Sequence, residues 1–568
     1  MQTLISLLEE RLRTAVSYAG EIEPRVTGTA DPRFGDYQTN VAMLLAKQQR
    51  ANPRQIATQI IERLDVSGIC ETPEIAGAGF INFRINTAFL NRRFNELCHD
   101  EMLGVSRAKP KKIVLDFSGP NIAKPMHVGH IRSTIIGDTL ARVARFLGHE
   151  VIADNHLGDW GTQFGKVIYG WKNWRDEAAL AARPVEELVR LYKKANALSE
   201  QDETVLRACR DELVKLQGGD AENIAIWRQC VELSWHEFEQ MYALLDVHFD
   251  KHLGESSYND RLAPLVAKLE STGIAEQSEG ATCVFFRDDS ALADKPCLIR
   301  KTDGGFLYAT TDLATIEYRI ERWNPDEIWY VVGAPQALHF EQVFGVARKM
   351  GVTAQLRFIP FGSILGEDRK LMKTRSGDNV QLRELLEEAQ QRARAVVEQK
   401  NAALSDEEKN EIATVIGIGA VKYADLSQAR MTDYVFSWDK MLSLQGNTAP
   451  YLQNAFVRIR SIFRKIETGS WEAGKEDGAL AEPSEISLAK KLMQFGETVP
   501  LVLDDFRPNI LANYLYELAN TFHGFYEACP VLKADEPMRS TRLALCDLTA
   551  RVLERGLSLL GIRAPEKM

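Results

Sequence analysis

Residues 111–156 read KKIVLDFSGPNIAKPMHVGHIRSTIIGDTLARVARFLGHEVIADNH. The first seven, KKIVLDF, are apolar and β-branched enough for a buried strand. HIRSTIIGDTLARVARFLGH then repeats its apolar residues every three or four positions. That spacing sets Ile131, Ile135, Ile136, Leu140, Val143, Ala144 and Leu147 on one helical face. EVIADNH reads as a second strand. Strand, helix, strand in this order predicts a parallel sheet with a right-handed crossover. Between the first strand and the helix lies SGPNIAKPMHVGH (118–130), where two prolines and two glycines interrupt regular structure and two histidines gather.

In an open parallel sheet, ligands bind beyond the carboxyl ends of the strands, near a switch in strand order. A helix beginning near His127 is expected to offer unpaired N–H groups and the positive end of its dipole to a phosphate. Gly129 has no β-carbon, so a base or a phosphate can approach the backbone closely. His127 and His130 are three apart, on the first turn, and both can donate to phosphate oxygens. Two other readings stand beside this one. H-x-x-H can ligate zinc, although no intervening Glu or recognisable third ligand accompanies it here. Two histidines can also simply cap a helix. The preceding strand, the prolines fixing the loop and the glycine between the histidines favour the phosphate reading.

The rest of the chain fits around this centre. Its 568 residues are too many for one core and point to roughly three or four domains. Residues 1–106 read as an α+β domain, with helical stretches near 1–18 and 39–64 and a strand in AGAGFINFRI. The basic patch RAKPKK (107–112) marks the next boundary. Residues 107–383 alternate strand and helix, interrupted at about 171–250 by a helical insertion. The alternation resumes with FLYATT (strand), DLATIEYRIERW (helix), EIWYVVGA (strand), ALHFEQVFGVARKMG (helix) and LRFIPFGSI (strand). Residues 384–568 are almost wholly helical.

The composition is that of a soluble protein, with no stretch near the ~20 uncharged apolar residues of a membrane span, and the charged first helix is not a signal peptide. Eight scattered cysteines with no C-x-x-C pair suggest neither a disulfide framework nor a zinc site, which fits a reducing cytoplasm. A net charge of −10 argues against wholesale wrapping by nucleic acid but leaves room for a local basic groove.

PMHVGH is similar to the HIGH signature of class I aminoacyl-tRNA synthetases, and DFSGPNIAKPMHVGHIRSTIIGD resembles the form found in arginyl-tRNA synthetases. HLGDWGTQFG (156–165), QGNTAPYLQNAFVRIR (445–460) and LLGIRAPEKM (559–568) resemble that family as well. The resemblance implies a multidomain protein: a Rossmann-like α/β catalytic core with a parallel sheet, an N-terminal α+β domain and a C-terminal all-helical anticodon-binding bundle. The implied reaction is ATP-dependent activation of L-arginine to arginyl-adenylate, then transfer to the 3′ ribose of tRNA-Arg, with tRNA required in the first step. ATP and Mg²⁺ are implied, zinc and other protein-bound metals are not, and a cytoplasmic monomer is expected. The alternative is a synthetase-like tRNA-binding protein that has lost catalysis.

The resemblance also carries residues. His127, Gly129 and His130 take the nucleotide. The second signature corresponds to GEDRKLMKTRSGD (366–378), where neither lysine of the family's K-M-S-K-S pattern is in register on Met372. Lys370, Lys373 and Arg375 lie close by and can supply charge, although a solvated charged turn would look the same. Lys124 stands where arginyl enzymes place a compensating lysine. Tyr308, Asp312 and Gln336 map to the arginine side chain, Asp116 and Asn121 to its amino and carboxylate end, and His156 to the same pocket. Taken alone, Asp312 also reads as a helix N-terminal acid and Tyr308 as a packed strand aromatic. Tyr451, Arg458 and Arg460 sit in a basic, aromatic stretch suited to single-stranded RNA, which a helix with buried rings and solvated arginines would equally display. Phe34, Tyr37, Gln38 and Asn40 map to the stretch that reaches the tRNA elbow.

Overall fold

The computed structural model describes residues 2–19, 22–29, 31–370, 372, 380–466 and 479–568. Lys373 and Arg375 lie outside the described residues. The chain forms two compact units, one of residues 109–443 with 559–562, the other of residues 1–108, 444–558 and 563–568.

The first unit is built on a five-stranded sheet in the order Gln355–Phe361, Glu327–Gly333, Lys112–Asp116, Glu150–Asn155, Lys251–His252, and every neighbouring pair is parallel. From Lys112–Asp116 the chain adds strands to one side and then returns to the other side at Glu327–Gly333. The strand order therefore reverses between these two strands, and the crevice beyond their carboxyl ends is the switch point. Tyr330 pairs with Asp116, which pairs on its other side with Asp154.

The Val128–Phe146 helix packs on the sheet, but not by one face only. Arg132, Thr134, Asp138 and Thr139 are buried along with the apolar residues, because helices Leu382–Lys400 and Asp406–Leu426 cover its outer side. Arg132 Nε lies 3.0 Å from Asp425, and Lys422 Nζ donates to Leu245 O at 2.7 Å. Those buried links hold residues 384–443 in the sheet-bearing unit, so in the packing the boundary expected at 383/384 falls near 443/444.

The expected insertion is helical throughout, as Gln163–Trp174, Glu177–Ala182, Pro184–Gln201, Glu203–Gln217 and Ala221–Leu245. FLYATT is not a strand. Phe306 makes only an isolated bridge to Arg300, and a helix starts at Tyr308 and runs to Trp323. The hydroxyl of Thr310 bonds to Ile299 O and meets the Leu307 N–H at 3.4 Å, so local side-chain bonding ends the extended run. A small antiparallel sheet of Glu276–Ser278, Ala281–Val284 and Cys297–Arg300 precedes it.

The second unit joins an antiparallel sheet (Val26–Gly28, Tyr37–Thr39, Phe80–Phe83, Glu74–Ala76) to helices Ala449–Phe463, Pro483–Met493, Phe495–Asp504, Pro508–Ala528 and Met538–Leu559. Asp36 pairs with Lys490 at 2.7 Å, and the Tyr37 hydroxyl donates to Glu497 at 3.1 Å.

Candidate active site

The loop 118–127 is fixed from several sides before the helix begins. The Ser118 N–H donates to Ser133 Oγ at 2.8 Å, Gly119 N–H to Asn155 Oδ1 at 3.2 Å, and Ile122 N–H to Gly158 O at 3.1 Å. Ser118 and Ala123 take positive φ, which the surrounding bonds enforce. A β-carbon on Gly158 would stand 2.2 Å from Asn121 Oδ1, so glycine there lets the two loops touch.

His127 is the N-cap residue of the Val128–Phe146 helix. Its Nδ1 accepts from Gly129 N–H at 3.1 Å, and His130 Nδ1 accepts from the His127 N–H at 3.1 Å. The rings lie 3.9 Å apart. Because both Nδ1 atoms accept, each neutral ring carries its proton on Nε2. Burial, then the charges of His127 and Lys124, lower His130 to about 3, and burial and Lys124 lower His127. The two histidines are thus neutral donors through Nε2, and helix caps at the same time. The unpaired backbone N–H groups expected at this terminus are not there: Val128 N–H bonds Val380 O at 2.9 Å, and His130 N–H bonds His127 O at 2.8 Å. Gly129 is needed for the ring as well as for a ligand, since a β-carbon would meet His127 Cε1 at 2.8 Å.

A cavity of about 580 Å³ opens at the switch point. It brings together Asp116, Asn121, Gly129, His130, His156, Tyr308, Asp312 and Gln336 from five separate stretches of chain. Tyr308 and Asp312 share one face of the helix that starts at Tyr308, with Tyr308 70% exposed. His156 Nδ1 lies 3.1 Å from Leu253 O, which leaves Nε2 as an acceptor. Asp116 is not a free carboxylate. Its Oδ2 accepts from Arg319 Nη2 at 2.7 Å, and the same nitrogen donates to Asp154 Oδ2 at 2.8 Å. Burial pushes the Asp116 carboxyl up against the pull of that guanidinium.

Three residues absent from the sequence reading complete the site. Glu255 lines the cavity, and burial, then the charges of Asp312 and Asp159, raise its carboxyl to about 8. His339 Nε2 meets Asp312 Oδ2 at 2.5 Å. Arg319, fully buried, holds the floor. Of these carboxyl groups, Asp116 is held by Arg319, Asp312 meets His339, and Glu255, raised to about 8, is protonated at neutral pH.

Other expected residues lie elsewhere. Lys124, Lys370 and Met372 do not line this cavity; Lys370 is exposed in a turn closed by Gly366 N–H to Lys370 O at 2.8 Å. In the second unit, Phe34 and Asn40 are exposed and Gln38 half-buried, whereas Tyr37 is buried with its hydroxyl on Glu497. Tyr37 offers no ring face to RNA, so its role there is structural. Arg458 is exposed over the Tyr526 ring at 5.7 Å, Arg460 Nε pairs with Glu566 at 3.0 Å, and Tyr451 donates to Asn520 Oδ1 at 2.6 Å.

The family model for the catalytic domain of class I tRNA synthetases (R) matches residues 94–438, the arginyl-tRNA synthetase N-terminal domain matches 2–85, and the DALR anticodon-binding domain matches 452–568. The chain is 47% identical to the arginine–tRNA ligase of a Nostoc strain, over 99% of its own length and 98% of that protein. It is also 47% identical to the arginine–tRNA ligase of Thermobifida fusca, over 99% of each. Among solved structures, arginyl-tRNA synthetase from Plasmodium falciparum superposes with a TM-score of 0.86 at 28% identity, and that from Thermus thermophilus with 0.85 at 26%, both covering 100% of each chain. With a switch-point cavity that has the His130 donor on one wall and the carboxyl groups of Asp116, Glu255 and Asp312 around it, and with these matches along its whole length, the chain belongs to the class I arginyl-tRNA synthetase family.

Proposed function

We propose that the protein is an arginine–tRNA ligase, which activates L-arginine with ATP and transfers it to tRNA-Arg. The observation that carries this reading is the cavity itself. The neutral His130 imidazole stands at the helix start, and Asp312 and Glu255 line the same space. A guanidinium is a planar fork of donors that two carboxylates satisfy, and Gln336 and Tyr308 add neutral partners. Asn121 and His156 then face the reacting end, while Asp116 acts there from its bond to Arg319.

In the first step the arginine carboxylate attacks the α-phosphorus of ATP and pyrophosphate leaves. In the second, a ribose hydroxyl of the tRNA attacks the adenylate carbonyl and AMP leaves. Neither step needs a protein nucleophile. Catalysis comes from in-line positioning and from donors aimed at growing phosphate charge, here His127 and His130 Nε2–H with Lys124. Lys370, Met372, Lys373 and Arg375 of the second signature loop complete the nucleotide side. Mg²⁺ enters as the ATP complex; among the described residues no cluster of three metal-ligating side chains occurs. Phe34, Gln38 and Asn40 at the elbow, and Tyr451, Arg458 and Arg460 at the anticodon bundle, are the proposed RNA contacts. No helix among the described residues is long and apolar enough to cross a membrane, and a cytoplasmic monomer is the setting we assign.

ATP–pyrophosphate exchange with arginine, run with and without tRNA, tests the reading. Exchange that requires tRNA is the expected result. Exchange without tRNA removes the tRNA requirement from the proposal, and no exchange under either condition overturns it.

A further inference from the structure

The Ala221–Leu245 helix touches the loop that leads to His127 through side chains on one face. Trp227, Ser234 and Tyr242 are spaced by about two helical turns, which stacks them along that face. The Ala123 N–H donates to Ser234 Oγ at 3.0 Å, and the Ser234 hydroxyl donates its own proton to Cys230 O at 2.8 Å. The Tyr242 hydroxyl lies 2.9 Å from Ser118 Oγ and accepts from Asn155 Nδ2 at 3.0 Å. Trp227 Nε1 donates to Asp159 O at 2.8 Å. Ser118 Oγ also lies 2.9 Å from Thr134 Oγ1, and Thr134 donates to His130 O at 2.8 Å.

These bonds land on strained backbone. Ser118 stands at φ 71° and Ala123 at φ 60°, the left-handed region where a β-carbon crowds the following carbonyl and glycine is the usual occupant. Neither residue is glycine, so the surrounding structure has to hold each of them there. Ser118, Ala123, Ser234 and Tyr242 are all buried. Pairing a buried N–H would account for Ser234 alone. It does not account for both strained residues of the loop meeting hydroxyls from one face of one helix.

We propose that Ser234 and Tyr242 are positioning residues for arginine activation: from the Ala221–Leu245 helix they hold Ala123 and Ser118 in left-handed geometry, and so set the loop that carries Asn121 and Lys124. Neither Ser234 nor Tyr242 lines the larger cavity, so each acts through the loop, which lines it with Ser118, Gly119 and Asn121. Through Thr134 the same hydroxyl chain reaches the His130 carbonyl, on the first turn of the helix. The proposal rests on the ligase reading, because activation is the step these residues serve.

The test uses the relief of strain by glycine. Full-length Ser234→Ala should fold and, with tRNA-Arg saturating, lower kcat for pyrophosphate exchange about 10- to 100-fold. KM for arginine should stay within about twofold. Adding Ala123→Gly removes the β-carbon that drives the loop out of left-handed geometry, and should recover about tenfold of that loss. A role limited to packing would shift the urea midpoint without this rescue. Tyr242→Phe keeps the ring against Phe249 and removes only the hydroxyl. It should lower kcat over the same range of about 10- to 100-fold, and it decides the proposal if Ser234→Ala does not fold. Unchanged kcat in either folded variant overturns the proposal, and so does a loss that Ala123→Gly leaves as it was. Amide hydrogen exchange over residues 118–127 follows the hold on the loop without turnover: it should quicken in Ser234→Ala and slow again with Ala123→Gly. Wild-type protein that lacks arginine-dependent pyrophosphate exchange would instead sink the ligase reading, and amide exchange would still decide whether the helix holds the loop.

Discussion

The backbone N–H of His127 donates to the Nδ1 of His130 at 3.1 Å, which makes His130 a structural cap and, through Nε2, a donor to ligand. The two roles separate under mutation. Loss of an N-terminal capping bond costs about 1 kcal/mol of stability, whereas loss of one preorganised donor costs about 3–4 kcal/mol in the transition state. His130→Ala is therefore expected to fold and to lower arginine activation by about 10²- to 10³-fold. A urea melt and pyrophosphate exchange, measured on the same preparation, check both numbers. Near-wild-type exchange by the folded variant would remove His130 from catalysis.

Gly129 supports the neighbouring ring. Its hypothetical β-carbon lies 2.8 Å from His127 Cε1, so Gly129→Ala must turn or push the imidazole. A misplacement of about 1 Å costs on the order of 10²-fold in rate. That fall in kcat with little change in KM for arginine is the expected kinetic split, and a compensating rise in KM alone would contradict it.

Asp312 faces both His339 and the cavity. Hydrogen bonds to charged groups contribute about 1.5–3 kcal/mol, so Asp312→Asn should raise KM for arginine about 10- to 100-fold and leave KM for ATP unchanged. Citrulline and lysine should remain poor substrates of the wild type, because each leaves buried polar groups unpaired. Unaltered arginine affinity in the variant would place the guanidinium elsewhere.

Glu255 gives the pocket a pH dependence with a definite sign. Its carboxyl sits at about 8, raised first by burial and then by Asp312 and Asp159. A guanidinium binds the ionised form, so below about pH 8 binding must first expel a proton. Arginine affinity should rise about tenfold per unit from pH 6 to 8 and level off above, and Glu255→Gln should flatten the profile. In the free protein the effect runs the other way. A carboxyl raised from its ordinary 4.5 loses stability as pH climbs toward 8, so Glu255→Gln should melt above wild type at pH 8. Titration calorimetry in two buffers of different ionisation heat measures the proton released.

Arg319 bonds Asp116 and Asp154 with no exposed surface of its own. Breaking a buried pair strands its charges, and Arg319→Met is expected to cost about 3–5 kcal/mol in chemical denaturation. Without the guanidinium, burial and the like charge of Asp154 act on Asp116 against His156 only, raising its carboxyl further. The variant's stability should fall as pH rises from about 4 to 7, and its deficit against wild type should be smallest in mild acid. A pH-independent deficit would mean that packing, not charge, is what Arg319 contributes.

The sequence by itself determined what depends on neighbouring residues. His127, Gly129 and His130 sit within four positions of one another, between a strand and a helix whose periodicities are visible in the chain. The parallel core, the helical insertion and the helical tail follow from similar local patterns. Tertiary structure alone decided what depends on pairing across the sheet. Glu255 and His339 lie far from His130 in the chain and share its cavity only because Glu255 follows the Lys251–His252 strand on one side of Lys112–Asp116 and His339 follows Glu327–Gly333 on the other. The same reversal puts Arg319 beneath Asp116, which turns an expected ligand contact into a pinned carboxylate. Local reading misjudged FLYATT, where the Thr310 hydroxyl bonds to backbone at Ile299 and Leu307, and Tyr37, whose partner Glu497 is 460 residues away. Periodicity records which face of an element is buried; it carries no information about which distant charge will lie against that face.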